Sequence, residues 1–189
     1  TLLYDLRRSW GDEQGAIGAW DEPLKSAGMT TMPAQWADSG FDFHALERHS
    51  ESALLQSKGG PLVSVIMTVH QWNDAFPLAV NSILNQTHSN LELIVVDDHS
   101  PRDDVVMYDN LLSDPRIVRL RMPQNVGTYA CRNEGLRVMK GAFVTFADSD
   151  DWNHPQRLEK AIQLMETLSI DVVLCRYVRM SRNGEALFN

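Results

Sequence analysis

Phe143-Val144-Thr145-Phe146-Ala147-Asp148-Ser149-Asp150-Asp151 decides how the rest of the chain is read. Its apolar, β-branched and aromatic first half predicts a buried strand. The strand then runs into three carboxylates within four residues. Like charges this close raise one another's pKa unless something neutralises them. A hard divalent cation, Mn²⁺ or Mg²⁺, does so with oxygen ligands and accepts phosphates in the same shell. In an open α/β sheet, ligands bind outside the carboxyl ends of the strands. Asp148-Ser149-Asp150 therefore stands where a metal-bound nucleotide diphosphate is expected. The plain alternative is a solvated acidic turn in which Asp148 caps the next helix. Asp148 to Asn153 does not make a calcium loop, because it lacks the sixth-position glycine and the distal glutamate.

The bulk properties narrow the choice. A chain of 189 residues holds one domain, or one domain with an appendage. A net charge of −8 without a basic run argues against nucleic acid and against docking on anionic lipid. No stretch approaches the ~20 apolar residues of a membrane span, and no secretory signal pattern is present. Cys131 and Cys175 fall inside expected regular elements and do not suggest a disulfide framework, so a reduced, cytoplasmic setting is expected. Thr1 at the start, and Asn189 just after an apolar segment, read as cuts in a longer protein. Residues 1–60 are Trp-rich and weakly periodic, apart from an amphipathic helix expected over Phe43 to Ser57. They form an N-terminal, partly helical extension or the end of an upstream domain, with tryptophans able to dock a partner. Residues 61–189 form the second domain.

From Pro61 strands and helices alternate. Leu62 to Val69 is a strand, followed by a helix with Asp74 as its cap and Pro77 in its first turn. Leu91 to Val96 is nearly continuous in apolar residues, as a buried parallel strand is. It ends in Asp97-Asp98-His99-Ser100, where Asp97 bonds to backbone within the turn and Ser100-Pro101 opens a helix. Ile117 to Met122 is a third strand. Thr128 caps a helix that Gly141 terminates. After the acidic strand end, Pro155 starts a helix with Leu158, Ile162 and Met165 on one face. Asp171 to Val178 is a further strand, and Asn183-Gly184 favours a hairpin. This order predicts an α/β fold, a mainly parallel sheet flanked by helices.

Three strand ends converge at one edge of such a sheet: Thr68-Val69-His70, Asp97-Asp98 and Asp148-Ser149-Asp150. One carboxylate can accept from a base or ribose, and a metal held by another can anchor a diphosphate. Neither Gly-x-Gly-x-x-Gly nor Gly-x-x-x-x-Gly-Lys-Ser follows the first strand, which argues against a dinucleotide dehydrogenase or a P-loop enzyme. His44, His49, His88, His99 and His154 lack metal-ligand spacing and are read as surface or capping residues.

Five co-linear segments now carry a resemblance. They are Leu62 to Thr68, Ser82-Ile83-Leu84-Asn85-Gln86-Thr87, Glu92 to Ser100, Asn125-Val126-Gly127 with Ala130-Cys131-Arg132-Asn133, and Asp148-Ser149-Asp150-Asp151. Together, from about Pro61 to about Val178, they resemble family 2 glycosyltransferases of the GT-A (Rossmann-like) fold. The resemblance implies inverting transfer of a sugar from a nucleotide-sugar donor, commonly a UDP-sugar, to a hydroxyl of a saccharide or glycoconjugate acceptor. It implies that Thr68, Val69 and His70 line the base pocket and that Asp98 accepts from the base. Asp148 and Ser149 then lie near the nucleotide, and Asp150 with Asp148 holds Mn²⁺ or Mg²⁺ in an Asp-x-Asp motif. Arg132 and Asn133 fall on the family's Arg-Asn pair. Arg132 either contacts the ligand or pairs with Asp98 or Asp148.

Departures from the family pattern matter as well. His70-Gln71-Trp72-Asn73 replaces the usual aromatic-Asn pair. The family's base, a downstream carboxylate, has no counterpart here, so the catalytic residue is unassigned. Trp152 either stacks on a sugar or covers the sheet edge. A non-catalytic nucleotide-binding or partner-docking module is the alternative function. A nucleotidyltransferase ranks lower for want of a Gly- and basic-rich loop. A phosphohydrolase ranks lower because Thr68-Val69-His70 offers no Asp nucleophile.

Overall fold

Val63–Val69 carries apolar side chains on both of its faces and forms the central strand β1, every residue of it buried except Thr68. That is the pattern of a parallel strand covered on both sides. The computed structural model describes residues 24–26, 28–29, 59–101, 108–175, 179–180 and 186–187. Two compact units are present, Ala53–Pro155 and Thr1–Ser52 with Gln156–Asn189. Most of the tryptophan-rich extension, with Trp10, Trp20, Trp36 and the helix expected over Phe43 to Ser57, lies outside the described residues, as do residues 102–107 of the helix expected after Pro101.

In the first unit, helix α1 (Phe76–Leu84), strand β2 (Leu91–Asp97), a 3₁₀ turn (Leu111–Ser113), strand β3 (Ile117–Arg121), helix α2 (Thr128–Val138) and strand β4 (Phe143–Asp148) follow β1. The sheet order is β3-β2-β1-β4 and every pairing is parallel. Thr68 is in register with Val96 of β2 and with Asp148 of β4, so three strands end at one level. On one face Ile66, Ile94, Val96 and Cys131 make a fully buried cluster, ringed by Val118, Leu120, Met122, Val126 and Met139. Val65, Met67, Leu93 and Val95 fall on the opposite face by strand alternation and are buried too. Gly135 lets α2 sit close to β1, because a Cβ there would lie 2.6 Å from Ile66 Cγ2.

Several local expectations are corrected. β4 is not a buried strand. Among the described residues it has one strand neighbour, β1, and it exposes Val144 and Phe146, so only alternate side chains are covered. Neither Asp74 nor Thr128 caps a helix. Ala75 and Gly127 hold the N-cap positions, and Asn73 Oδ1 instead accepts from Ala75 N–H at 2.9 Å. Gly127 takes φ 85°, in the left-handed region that a glycine enters freely. Met139, not Gly141, ends α2. His88 is buried, its Nε2 bonded to the Pro61 carbonyl at 2.9 Å, and is not a surface residue.

In the second unit, helix α3 (Arg157–Leu168) begins two residues after Pro155, and buries Leu158 and Ile162. Residues 171–175 are not a strand, and Cys175 is exposed there. The regular structure is instead a short antiparallel pair, β5 (Arg179–Met180) with β6 (Ala186–Leu187). The Asn183-Gly184 turn expected to make a hairpin lies outside the described residues. Both cysteines are free thiols. Among the described residues, no helix is long and apolar enough to cross a membrane.

Candidate functional site

The carboxyl ends of β1, β2 and β4 open on a cavity of about 470 Å³. It is lined by Thr68, Val69, His70, Asp98, Thr128, Tyr129, Arg132, Asp148, Ser149 and Asp150. Eight of these ten were singled out from the sequence. Thr128 and Tyr129 were missed as site residues. They form the first turn of α2, and the Gly127 start of that helix, brought to the sheet edge, was the available signal. Asn133, though next to Arg132, is exposed and does not line the cavity. Trp152 does not line it either, and its ring lies edge-on to His154.

Asp98 is buried and holds the loop that precedes α2. Its Oδ1 accepts from Val126 N–H at 2.7 Å, and its Oδ2 from Gly127 N–H at 2.8 Å. Burial by itself would raise the carboxyl's pKa. The Val126 and Gly127 hydrogen bonds, the Cys131 thiol and the nearby His70 outweigh it and hold the group below its usual value. The same neighbourhood acts oppositely on Cys131. Burial first, then the Asp98 charge, pushes that thiol up to about 12. Cys131 is therefore a protonated donor and not a nucleophile.

His70 is fixed by two contacts. Its Nδ1 lies 2.9 Å from the Asp98 carbonyl oxygen, which can only accept, so Nδ1 carries the proton. Asn125 Nδ2 lies against the same ring, 3.2 Å from Nε2 and 3.3 Å from Nδ1. Gln71 turns the chain at φ 63°. Beyond it Trp72 packs edge-on to Phe76 and stacks on Tyr108, away from the lining. The His70-Gln71-Trp72-Asn73 departure thus leaves a histidine in the cavity and an aromatic behind it. Asp97 accepts from Ser100 N–H at 2.9 Å, as its turn position suggests, and also forms an ion pair with Arg121.

Arg132 pairs with Asp148 rather than Asp98, with Nη2 2.8 Å from Oδ1. Its guanidinium carbon stands 5.1 Å from the Phe146 ring centre and 5.9 Å from that of Tyr129. Asp150 is exposed and makes no hydrogen bond or ion pair among the described residues. Among these residues no three His, Cys, Asp or Glu groups gather as a ready-made metal cage. Two carboxylates on a cavity wall suit Mg²⁺ or Mn²⁺ all the same, since such ions take one or two carboxylates and complete their shell with phosphates and water.

The segment after the acidic residues is anchored from α1. Gln86, fully buried, donates to the Ser82 and His154 carbonyls at 2.9 and 2.8 Å. Ser82 Oγ accepts from Asn153 N–H at 3.1 Å, and the Pro155 carbonyl accepts from Thr87 N–H at 2.9 Å. The Ser82 to Thr87 motif thus secures the chain just beyond Asp150.

Residues 64–186 match the sequence profile of Glycosyl transferase family 2. An uncharacterized glycosyltransferase of Haemophilus influenzae is 37% identical over 106 residues, 56% of this chain and 42% of that protein. The UDP-Glc:alpha-D-GlcNAc-diphosphoundecaprenol beta-1,3-glucosyltransferase of Escherichia coli is 35% identical over 106 residues, again 56% and 42% of the two chains. Among solved structures, S. aureus TarS 1-349 superposes with a TM-score of 0.56 at 25% identity, over 67% of this chain and 38% of that one. Its complex with UDP-GlcNAc gives a TM-score of 0.51 at 25% identity, over 56% and 31%. The match with these two curated relatives spans 42% of each one's length.

Proposed function

This chain belongs to glycosyltransferase family 2, and from that premise we propose that its cavity is the donor site of an inverting glycosyltransferase. The enzyme moves a sugar from a nucleotide-sugar, with UDP as the nucleotide, to a hydroxyl of a saccharide or glycoconjugate. The fold is GT-A, a parallel four-stranded sheet flanked by helices, as in TarS. The observation that carries the reading is the register of the sheet. It sets Thr68 beside Asp148 and brings three strand ends to one cavity. The cavity's size is that of a small-molecule site.

The residues divide the work as follows. Thr68, Val69 and His70 hold the base. A carboxylate offers about four acceptor positions. Val126 N–H, Gly127 N–H and the Cys131 thiol use three of those on Asp98, which leaves one for a base N–H. Asp150 and Asp148 are the residues that would hold Mn²⁺ or Mg²⁺. That ion, when bound, supplies Lewis-acid stabilisation of the leaving diphosphate. The acceptor oxygen attacks the anomeric carbon in line as the bond to the diphosphate oxygen breaks, which inverts the centre. No described residue is assigned as the base that takes the acceptor's proton. The two free cysteines support a reducing, cytoplasmic setting.

The test is thermal stability against UDP, GDP, ADP and CDP, each with and without Mn²⁺. A ligand at a hundredfold excess over its Kd stabilises by ~2.7 kcal/mol. The expected result is an upward shift with UDP that requires Mn²⁺ and is lost in Asp150→Ala. A cooperative melt that no nucleotide moves would reject the donor site. Metal-dependent UDP binding that survives in folded Asp150→Ala would reject the role given to that residue.

A further inference from the structure

We infer that Arg132 is a built-in counter-ion that competes with the divalent cation for Asp148, so that metal uptake depends on the nucleotide. The inference rests on the donor-site reading above. It starts from a conflict. Asp148 is one of the two carboxylates assigned to the ion, yet its Oδ1 already accepts from Arg132 Nη2 at 2.8 Å. A cation and a guanidinium cannot both approach one carboxylate at full strength, because the two positive charges repel. While the pair stands, Asp150 is left as the single uncommitted ligand.

Two features give the guanidinium somewhere to go. The ion pair is half open to water: the Asp148 side chain is 54% exposed and that of Arg132 25%. Such a pair is weak and can be exchanged. Arg132 Nε, in contrast, is sealed from solvent and has no acceptor. A stripped N–H without a partner favours any rearrangement that supplies one. A diphosphate in the cavity offers several anionic oxygens in the geometry that a guanidinium fork matches. The guanidinium's contacts with the Phe146 and Tyr129 rings, at 5.1 and 5.9 Å, do not depend on Asp148. The nucleotide therefore draws Arg132 off Asp148, and the freed carboxylate joins Asp150 on the ion. Without nucleotide the pair suppresses metal binding.

The experiment measures Mn²⁺ affinity from the free-ion signal in electron paramagnetic resonance, with and without UDP. It compares wild type, Arg132→Met, Arg132→Lys and Asp150→Ala. Met keeps an apolar side chain against the two rings and removes the charge. Arg132→Met is expected to bind Mn²⁺ alone roughly threefold to tenfold more tightly than wild type, and to bind UDP more weakly. Arg132→Lys keeps the charge and the weak affinity for Mn²⁺ alone. Opposite signs for metal and nucleotide separate this role from a structural one, which would weaken both. Wild type that takes up Mn²⁺ with UDP through Asp150, beside a folded Arg132→Met with unchanged affinity for Mn²⁺ alone, overturns the inference and leaves the donor site standing. Mn²⁺ uptake that neither UDP nor Asp150→Ala alters overturns both.

Discussion

Replacing Asp98 by Asn tests the loop cradle directly. The wild-type carboxylate is buried and accepts Val126 N–H on one oxygen and Gly127 N–H on the other, at 2.7 and 2.8 Å. Asn has nearly the same shape but a single oxygen. Its amide hydrogens would face one of the two backbone N–H groups, which would lose its acceptor. The surviving hydrogen bond would lose its charge assistance, worth ~1.5–3 kcal/mol per bond with an ionised partner, and the stranded N–H costs ~1–3 kcal/mol. With partial relaxation of the loop, ~3 kcal/mol of stability is lost, or a fall of ~6–12 °C in Tm for a chain of this size. Thermal melts by circular dichroism at pH 7 measure this. The gap should close in acid. The folded carboxyl sits below its ordinary 3.8, so its contribution is complete above that value and disappears as pH falls through the folded pKa. Protonated Asp98 then resembles Asn. An Asn variant that melts within ~1 °C of wild type at pH 7 would refute the cradle. Lost UDP binding in that same stable protein would leave base contact as the residue's main work.

Other sites give independent checks. Gly135→Val places a Cβ 2.6 Å from Ile66 Cγ2, inside a buried and stiff β-branched neighbour. Overpacking of ~2–3 kcal/mol is expected, read as a lower midpoint in urea, and an unchanged midpoint would mean that α2 can retreat from the sheet. Gln86→Leu removes the donors to the Ser82 and His154 carbonyls. It should cost ~1–3 kcal/mol and shrink the Mn²⁺-dependent UDP shift, because the segment after Asp150 loosens. A full-sized UDP shift in that variant would separate the anchor from the site. Asp114 is also held below 3.8, by the Arg116 side-chain hydrogen bond against the opposing effect of burial. Stability should therefore be flat near neutrality and fall below about pH 4, and an Asp114→Asn variant should lose part of that acid slope. An unaltered slope would show that the Arg116 pair does not persist in solution.

Strand and helix order was legible because its signals are local. A continuous apolar run such as Leu91 to Val96, or Pro77 in a first turn, acts within a few residues of itself. The acidic strand ends were legible for the same reason, and the parallel topology then placed Thr68, Asp98 and Asp148 at one edge. The strand expected from Asp171 shows the limit of that logic: residues 171–175 are irregular despite their apolar run, because a strand needs a neighbour to pair with, and Cys175 stands exposed there. β4 was misjudged as buried on the same ground, because coverage of a strand depends on its neighbours in space. What each polar atom does was decided by tertiary structure alone. Val126 and Gly127, 28 and 29 residues away, hold the oxygens of Asp98. Arg132 chose Asp148 over Asp98, and Tyr129 joined the cavity through the seating of α2. A hydrogen bond needs its partners within about 3 Å and aligned, and across such separations only the closed sheet and its register bring them together.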